Sequence, residues 1–196
     1  GNGYLYGNAG LDTFIGVSGT TTFVGDAGFD TVDYSGSASA VTVNLLTTMG
    51  SAGDADGDRY YAIERVIGST HDDTLIGNGY LYGNDGNDTF IGTAGTSTYV
   101  GDAGFDTVDY SASGSGVTVN LLTAMGSAGD AAGDRYYGIE RVIGSDHADV
   151  ITGNGNLYGN GGGDTFNDGT GNSIYIGGAG DDTYVFADNY GTDRIW

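Results

Sequence analysis

The sequence predicts an all-β fold, a parallel β-roll or β-solenoid of short stacked coils, and three observations carry that prediction. The first is a tandem repeat. "GNGYLYGN" begins at Gly1 and again at Gly77, and "GNGNLYGN" begins at Gly153. The segments 1–76 and 77–152 agree at 59 of 76 positions, and a shorter third copy fills 153–196. The second is a nine-residue period nested inside each copy. The third is composition: 40 Gly, no Pro, no Cys, and 26 acidic against 5 basic residues among 196, a formal charge of −21. Asp and Gly are poor helix formers, whereas Thr, Val, Tyr and Phe favour strands. Fixed-period repeats of this size are the mark of stacked architectures, so 1–196 is read as one continuous roll.

The nine-residue units justify the strands. Copy one reads "GNAGLDTFI" from Gly7, "GVSGTTTFV" from Gly16 and "GDAGFDTVD" from Gly25. Copy two reads "GNDGNDTFI", "GTAGTSTYV" and "GDAGFDTVD" from Gly83, Gly92 and Gly101. Each unit is six turn-forming residues followed by three strand-forming ones. The middle strand residue is always bulky: Phe14, Phe23, Val32, Phe90, Tyr99, Val108, Phe166 and Tyr184. Strand side chains alternate faces, so this residue points inward and its neighbours outward. One unit cannot form a core alone. Two units make a coil with opposed strands, and coils stacked about 4.8 Å apart bury the central residues as two facing ladders.

The stretch between the nonapeptides is read as two further coils. "VTVNLL" (41–46) alternates and predicts a strand; "GDADGD" (53–58) predicts an enlarged turn; "IERVIG" (63–68) predicts a buried strand with Glu64 and Arg65 satisfied locally. High charge and abundant Gly accompany disorder in many chains, but 38% apolar residues with 15 Tyr and 7 Phe argue for order here. No apolar run is long enough for a membrane-spanning helix. No leader and no initiating Met are present, and the chain begins and stops in mid-pattern, so it is expected to be a segment of something longer. The acidity argues against direct contact with nucleic acid or anionic membranes. The absence of Cys does not distinguish compartments.

The sixth position of the unit carries the chemistry. Carboxylates stacked at the coil spacing repel by roughly 1–3.5 kcal/mol per pair at effective dielectrics of 80 down to 20. A divalent cation between rows reverses the sign. Calcium (Ca2+) fits, because it takes 6–8 oxygen ligands, backbone carbonyls included. Zinc would call for His or Cys, and only His71 and His147 are present. The candidate metal ligands are Asp12, Asp30, Asp73, Asp88, Asp106, Asp149, Asp164 and Asp182 at the sixth position. Asp54 and Asp58, with Asp130 and Asp134 in copy two, join them on D-x-D spacing. If each 76-residue copy makes eight half-coils, every sixth-position Asp falls on one edge. The other edge carries Thr21, Ser97 and Ser173. A one-sided ladder is therefore expected.

"GGAGDDTYV" (177–185) matches every fixed position of G-G-x-G-x-D-x-U-x, and "GNAGLDTFI" and "GNDGNDTFI" miss only the second Gly. These residues resemble the RTX, or hemolysin-type calcium-binding, repeat family, over roughly half the chain. The resemblance implies a right-handed parallel β-roll with calcium between successive turns. It also implies a secreted or bacterial cell-surface protein, exported by type I secretion and folded by external calcium, with any catalytic domain elsewhere.

The remaining features are weighed against bland readings. His71 and His147 are read as turn residues tolerant of left-handed backbone, and Asp33 and Asp109 as surface residues. The Thr row (Thr13, Thr31, Thr74, Thr89, Thr107, Thr183) is read as β-propensity on one sheet, with an ice-binding array as the alternative. Tyr4, Tyr6, Tyr80, Tyr82 and Tyr158 should point outward together and could serve self-association or glycan contact. No H-E-x-x-H, G-x-S-x-G, P-loop or Cys nucleophile is present. The functional expectation is a non-enzymatic, calcium-binding structural segment of an adhesin, surface layer or extracellular filament. The alternative is a calcium-dependent accessory or polysaccharide-binding module of a secreted enzyme.

Overall fold

The computed structural model describes residues 3–186 and 191–196. Among them the chain is nearly all-β, without α-helix, and most strand pairs are parallel: the fold is a parallel β-roll. It divides into two compact units, Gly1–Ile91 with Thr98–Asp106, and Gly92–Ser97 with Thr107–Trp196.

In the first unit the chain crosses between two facing sheets. One holds Thr13–Ile15, Thr31–Asp33, Arg65–Ile67 and Gly79–Tyr82, aligned so that Phe14, Val32, Val66 and Leu81 form a ladder. The other holds Gly3–Tyr6, Thr21–Val24 and Arg59–Tyr61, with Leu5, Phe23 and Tyr60 in register. It also holds Thr42–Asn44, Thr74–Ile76 and Thr89–Ile91, with Val43, Leu75 and Phe90 in register. The ladders form the core, and Val32, Val43, Val66, Leu75, Leu81 and Phe90 are fully buried. Each contributes about 1.5–3 kcal/mol relative to exposure. Ring contacts join the sheets: Phe14 to Phe23 at 5.5 Å, and Phe90 to Tyr99 at 5.4 Å between centroids.

The insertion departs from the expected two coils. Met49–Gly50 runs antiparallel to both Thr42–Asn44 and Arg59–Tyr61, so all three strands stay in one sheet. The "GDADGD" turn is a 3-10 turn at Gly53–Ala55 inside this excursion, rather than an enlarged edge turn. The insertion therefore adds three strands to one sheet and no extra crossing. A copy makes seven crossings instead of eight, and parity does not return. Gly3–Tyr6 lies in the second sheet, whereas the equivalent Gly79–Tyr82 lies in the first. The expected tyrosine cluster is split accordingly within the first unit: Tyr4 and Tyr6 face outward from one sheet, Tyr80 and Tyr82 from the other.

The threonine row is broken by the same shift. Thr13 and Thr31 align with Arg65, while Thr74 and Thr89 sit on the opposite sheet. Arg65 donates from Nε to Thr31 Oγ1 at 2.9 Å, and both Thr31 and Thr107 are buried. An exposed threonine array is not formed.

The second unit repeats the plan. Val119, Ile151, Phe166 and Tyr184 align in one sheet. Val108, Val142, Leu157, Tyr175 and Ile195 align in the other. The insertion again forms antiparallel pairs, Thr118–Asn120 with Met125–Ala128 and Met125 with Arg135. Tyr158 lies outward and half-buried beside Ile176.

Coil stacking depends on the fourth-position glycine. Gly104 sits at φ +156°, and a methyl group there would lie 1.6 Å from the Gly86 carbonyl oxygen of the coil below. Gly28 meets the Gly10 oxygen in the same way, at 1.7 Å. Gly104→Ala must push two coils apart and also strain the backbone. We expect a loss of at least about 2 kcal/mol, read as a lowered urea midpoint. An unchanged midpoint would show that the turns do not stack this closely.

Candidate metal centre

One turn explains the whole motif. In Gly83–Asp88 the second residue, Asn84, takes φ 74°, and the fourth, Gly86, takes φ 131°. Asn8, Asp26, Asp102 and Asn160 at the same position are left-handed too, whereas Ser69 and Ser145 are not. Asn and Asp are the residues that tolerate that region after glycine, so the "missing" second Gly is no departure in geometry. The bends turn the sixth residue inward. Asp88 is fully buried, with its Oδ2 tucked under Gly83, where a methyl group would sit 1.9 Å away. Gly7, Gly25, Gly68, Gly144, Gly159 and Gly177 cover Asp12, Asp30, Asp73, Asp149, Asp164 and Asp182 likewise. The first Gly of the motif is thus a space requirement set by the carboxylate beneath it.

The two oxygens of that carboxylate have different fates. Oδ1 accepts the backbone N–H of the acidic residue one coil away: Asp12 N to Asp30 at 2.9 Å, Asp73 N to Asp88 at 2.8 Å, and Asp88 N to Asp106 at 2.8 Å. In the second unit Asp149 N donates to Asp164 at 2.8 Å and Asp164 N to Asp182 at 3.0 Å. The second oxygen, Oδ2, is buried without a hydrogen-bond donor at Asp12, Asp30, Asp88 and Asp164. A carboxylate oxygen left this way costs free energy, because buried charge is stable only when paired or coordinated.

The ladders do not share one edge, and the one-sided expectation is corrected. In the first unit Asp12 and Asp30 sit where the chain passes from the second sheet to the first. Asp73 and Asp88 sit where it passes from the first to the second. The odd number of crossings is the cause. The sequence reading also missed a member. Glu64 Oε2 accepts the N–H of Asp30 at 2.8 Å and so extends the Asp12–Asp30 ladder. The signal was present: Glu64-Arg65-Val66-Ile67 has the layout of Asp12-Thr13-Phe14-Ile15, with Glu at the sixth position.

Asp73 and Asp149 share the ladders but are already satisfied by protein. Asp73 accepts the N–H of Val41 and both the N–H and hydroxyl of Ser69; Asp149 accepts the same groups of Val117 and Ser145. His71 and His147 lie exposed in these turns, and the backbone is not left-handed at either. Their N–H groups instead donate to Ser69 and Ser145 Oγ.

Asp58 and Asp134 are placed apart from the acidic ladders, inside a hydrogen-bonded core. Asp58 accepts Thr21 N–H at 2.6 Å on one oxygen and the Tyr34 hydroxyl at 2.6 Å on the other, and Tyr34 lies 2.7 Å from the Tyr60 hydroxyl. Asp134 repeats this with Ser97, Tyr110 and Tyr136. Both oxygens of each carboxylate thus accept hydrogen bonds from the protein, a role that D-x-D spacing did not foresee. Asp54 and Asp130 are half-buried in the 3-10 turns Gly53–Ala55 and Gly129–Ala131. They are in a different place from the ladders, on the hairpin insertion.

The electrostatics follow the burial. Burial raises the Asp88 carboxyl to about 7, with the charges of Asp73, Asp106 and Asp72 adding to it and the Asp73 N–H opposing it. Asp164 is raised to about 6 by burial, helped by Asp149 and Asp182. Asp58, Asp73 and Asp149 are also raised by burial against their hydrogen bonds. A turn carbonyl of the neighbouring coil lies near these carboxylates. A methyl group added to Gly68 would meet Asp73 Oδ2 at 2.3 Å and the Gly83 oxygen at 2.9 Å, and one added to Gly159 would meet Asp164 Oδ2 at 2.0 Å and the Gly177 oxygen at 2.6 Å. This all-oxygen donor set, with orphaned buried carboxylate oxygens, fits a hard dication and offers zinc neither sulfur nor imidazole.

Two outcomes are expected. Tyr34→Phe deprives one Asp58 oxygen of its donor and should cost about 1.5–3 kcal/mol in urea unfolding; no loss would mean the Tyr34 contact adds nothing. Second, in excess chelator the folded chain holds a proton on Asp88 that the unfolded chain releases near its ordinary value of 3.8. Stability of the metal-free fold should therefore fall as pH rises from about 4 to about 7 and recover on acidification. The β-signal in chelator, followed from pH 7 down to pH 4, checks this: it should be gained on acidification, and Asp88→Asn should flatten the change. A slope of opposite sign would contradict the burial of these carboxyls in the metal-free chain. Compared with known proteins, the chain matches no family model and no curated protein.

Proposed function

We propose that this chain is a calcium-binding structural segment of a secreted or cell-surface protein, of the adhesin, surface-layer or extracellular-filament type, that folds when it binds Ca2+ outside the cell. The observation that supports this most is the buried, donor-free Oδ2 at Asp30, Asp88 and Asp164, each one coil from another acidic residue. Asp12, Asp30, Asp88, Asp106, Asp164 and Asp182, with turn carbonyls, would hold the ions. Bound calcium would supply positive charge that pairs the rows and removes their mutual repulsion. Where calcium is scarce the rows repel and the chain stays unfolded, a state suited to passage through a narrow type I export channel. Where calcium is millimolar, binding free energy becomes folding free energy. The segment is proposed to be non-enzymatic, its buried acids serving the fold.

A second reading has its own observation. Tyr4 and Tyr6 are 69% and 60% exposed, with parallel rings 6.2 Å apart. Exposed paired rings suit stacking on sugars, which favours a calcium-dependent accessory module that binds a polysaccharide.

Circular dichroism and calorimetry on the 196-residue chain test the proposal. At neutral pH little β-signal is expected in chelator, a cooperative gain on adding calcium, and several ions bound per chain. A full β-spectrum in chelator with no calcium heat would refute it. Tyr4→Ala/Tyr6→Ala losing retention on a glycan array that the wild type binds would promote the second reading.

A further inference from the structure

We propose that Asp168 and Asp193, with the hydroxyls of Ser173 and Tyr175, form a site for a hard divalent cation inside the second unit, apart from the acidic ladders. The site replaces, in the third copy, the tyrosine network that satisfies Asp58 and Asp134, and it uses none of the calcium ligands proposed above.

Asp193 is the third member of the Asp58 and Asp134 series. Its Oδ1 accepts the Ser173 N–H at 2.8 Å, as Asp58 accepts Thr21 N–H at 2.6 Å and Asp134 accepts Ser97 N–H at 2.7 Å. The strand that follows keeps the register: Arg194 and Ile195 lie beside Ile174 and Tyr175, as Arg59 and Tyr60 lie beside Thr22 and Phe23. In the first two copies the second carboxylate oxygen takes the hydroxyl of Tyr34 or Tyr110, which Tyr60 or Tyr136 joins. Copy three has neither phenol. At the 76-residue spacing Tyr34 and Tyr110 are followed by Phe186, and Ile195 stands where Tyr60 does. Asp193 Oδ2 is buried and has no hydrogen-bond partner among the described residues.

A second carboxylate enters instead. Gly16 and Gly92 lie so close to the Tyr34 and Tyr110 rings that a side chain there would strike them. The equivalent residue in copy three is Asp168, which is buried. Its Oδ1 accepts the Tyr175 hydroxyl at 2.5 Å, and its Oδ2 has no partner. Ser173 is 3% exposed, and its Oγ, near the same phenol, makes no hydrogen bond. Burial holds the Tyr175 phenol above its ordinary range, and the charges of both Asp168 and Asp193 add to that. Three buried oxygens, from two carboxylates and one hydroxyl, are therefore left open around a single phenol. The basic neighbour, Arg194, is exposed on its strand beside Ile174. Buried charge is stable when paired or coordinated, and carboxylate and hydroxyl oxygens are the donors that Ca2+, Mg2+ and Mn2+ accept.

Isothermal titration of the 196-residue chain with calcium chloride, repeated with magnesium and manganese chlorides, tests the site in wild type, Asp168→Asn, Asp193→Asn, their double variant and Asp88→Asn. The β-spectrum at saturating cation should be kept. With at least one of the three salts, Asp168→Asn and Asp193→Asn should each lose one bound ion or bind one at least tenfold more weakly. The double variant should lose no more than either single one, because they share the ion. Wild-type isotherms for both single variants with all three salts, while Asp88→Asn loses a calcium ion, would overturn this site and leave the calcium reading intact. A double variant that loses two ions would also overturn it. The reverse, loss in both single variants with Asp88→Asn unchanged, would support this site and count against Asp88 as a ligand. A wild type that binds none of the three would overturn both. If the variants do not fold, anomalous scattering from wild-type crystals soaked in manganese chloride decides. A peak between Asp168 and Asp193 supports the site; peaks only elsewhere, or none, overturn it.

Discussion

The structure depends on a carboxylate turned inward. At the sixth position of each acidic turn the carboxylate lies under the first glycine, with one oxygen bonded to the neighbouring coil at Asp30, Asp88, Asp164 and Asp182. That bond sets the coil register, because it runs from backbone to side chain across the stacking direction. The other oxygen is the unresolved half of the interaction. A protein interior does not leave a charged oxygen unpaired without cost, and these turns stack several such oxygens in a row. Protonation or a dication can settle them; the raised Asp88 and Asp164 carboxyls are the signature of the first in the metal-free fold.

The insertion shows how the same problem is solved without a dication. Asp58 is buried as deeply as Asp30, yet two donors, Thr21 N–H and the Tyr34 hydroxyl, meet its two oxygens. Asp73 is met by Val41 and Ser69. Thus three environments hold buried aspartates in this chain: tyrosine networks, serine-lined turns and open-ended ladders. The ladders leave one oxygen without a donor at Asp12, Asp30, Asp88 and Asp164. The hairpin also reverses the edge on which the next ladder runs, so within the first unit negative charge is divided between two rims instead of accumulating on one.

Much of this was legible in the sequence. The nine-residue period located the strand triplets, and alternation placed Phe14, Phe23 and Phe90 inward and Tyr4, Tyr6 and Tyr80 outward. The sixth-position aspartates were identifiable by phase alone. Two things were not. "VTVNLL…GDADGDRYY" has strand patterning, but its period does not reveal whether a strand crosses to the opposite sheet or folds back. The antiparallel Met49–Gly50 strand is only two residues long and leaves no periodic trace. Within the first unit that one ambiguity put the Asp73–Asp88 ladder on the wrong edge. The role of Asp58 was hidden for a different reason: its partners Thr21 and Tyr34 sit 37 and 24 residues away, and only the tertiary fold brings them to it.

Residue-resolved amide hydrogen exchange, with calcium and in chelator, tests the central claim most directly. The account predicts that the N–H groups of Asp12, Asp30 and Asp88, which donate across the ladders, become protected only when calcium is present, and on both edges of the first unit together. Equal protection in chelator at neutral pH would show that the buried carboxylates hold the roll without a cation, and would contradict it.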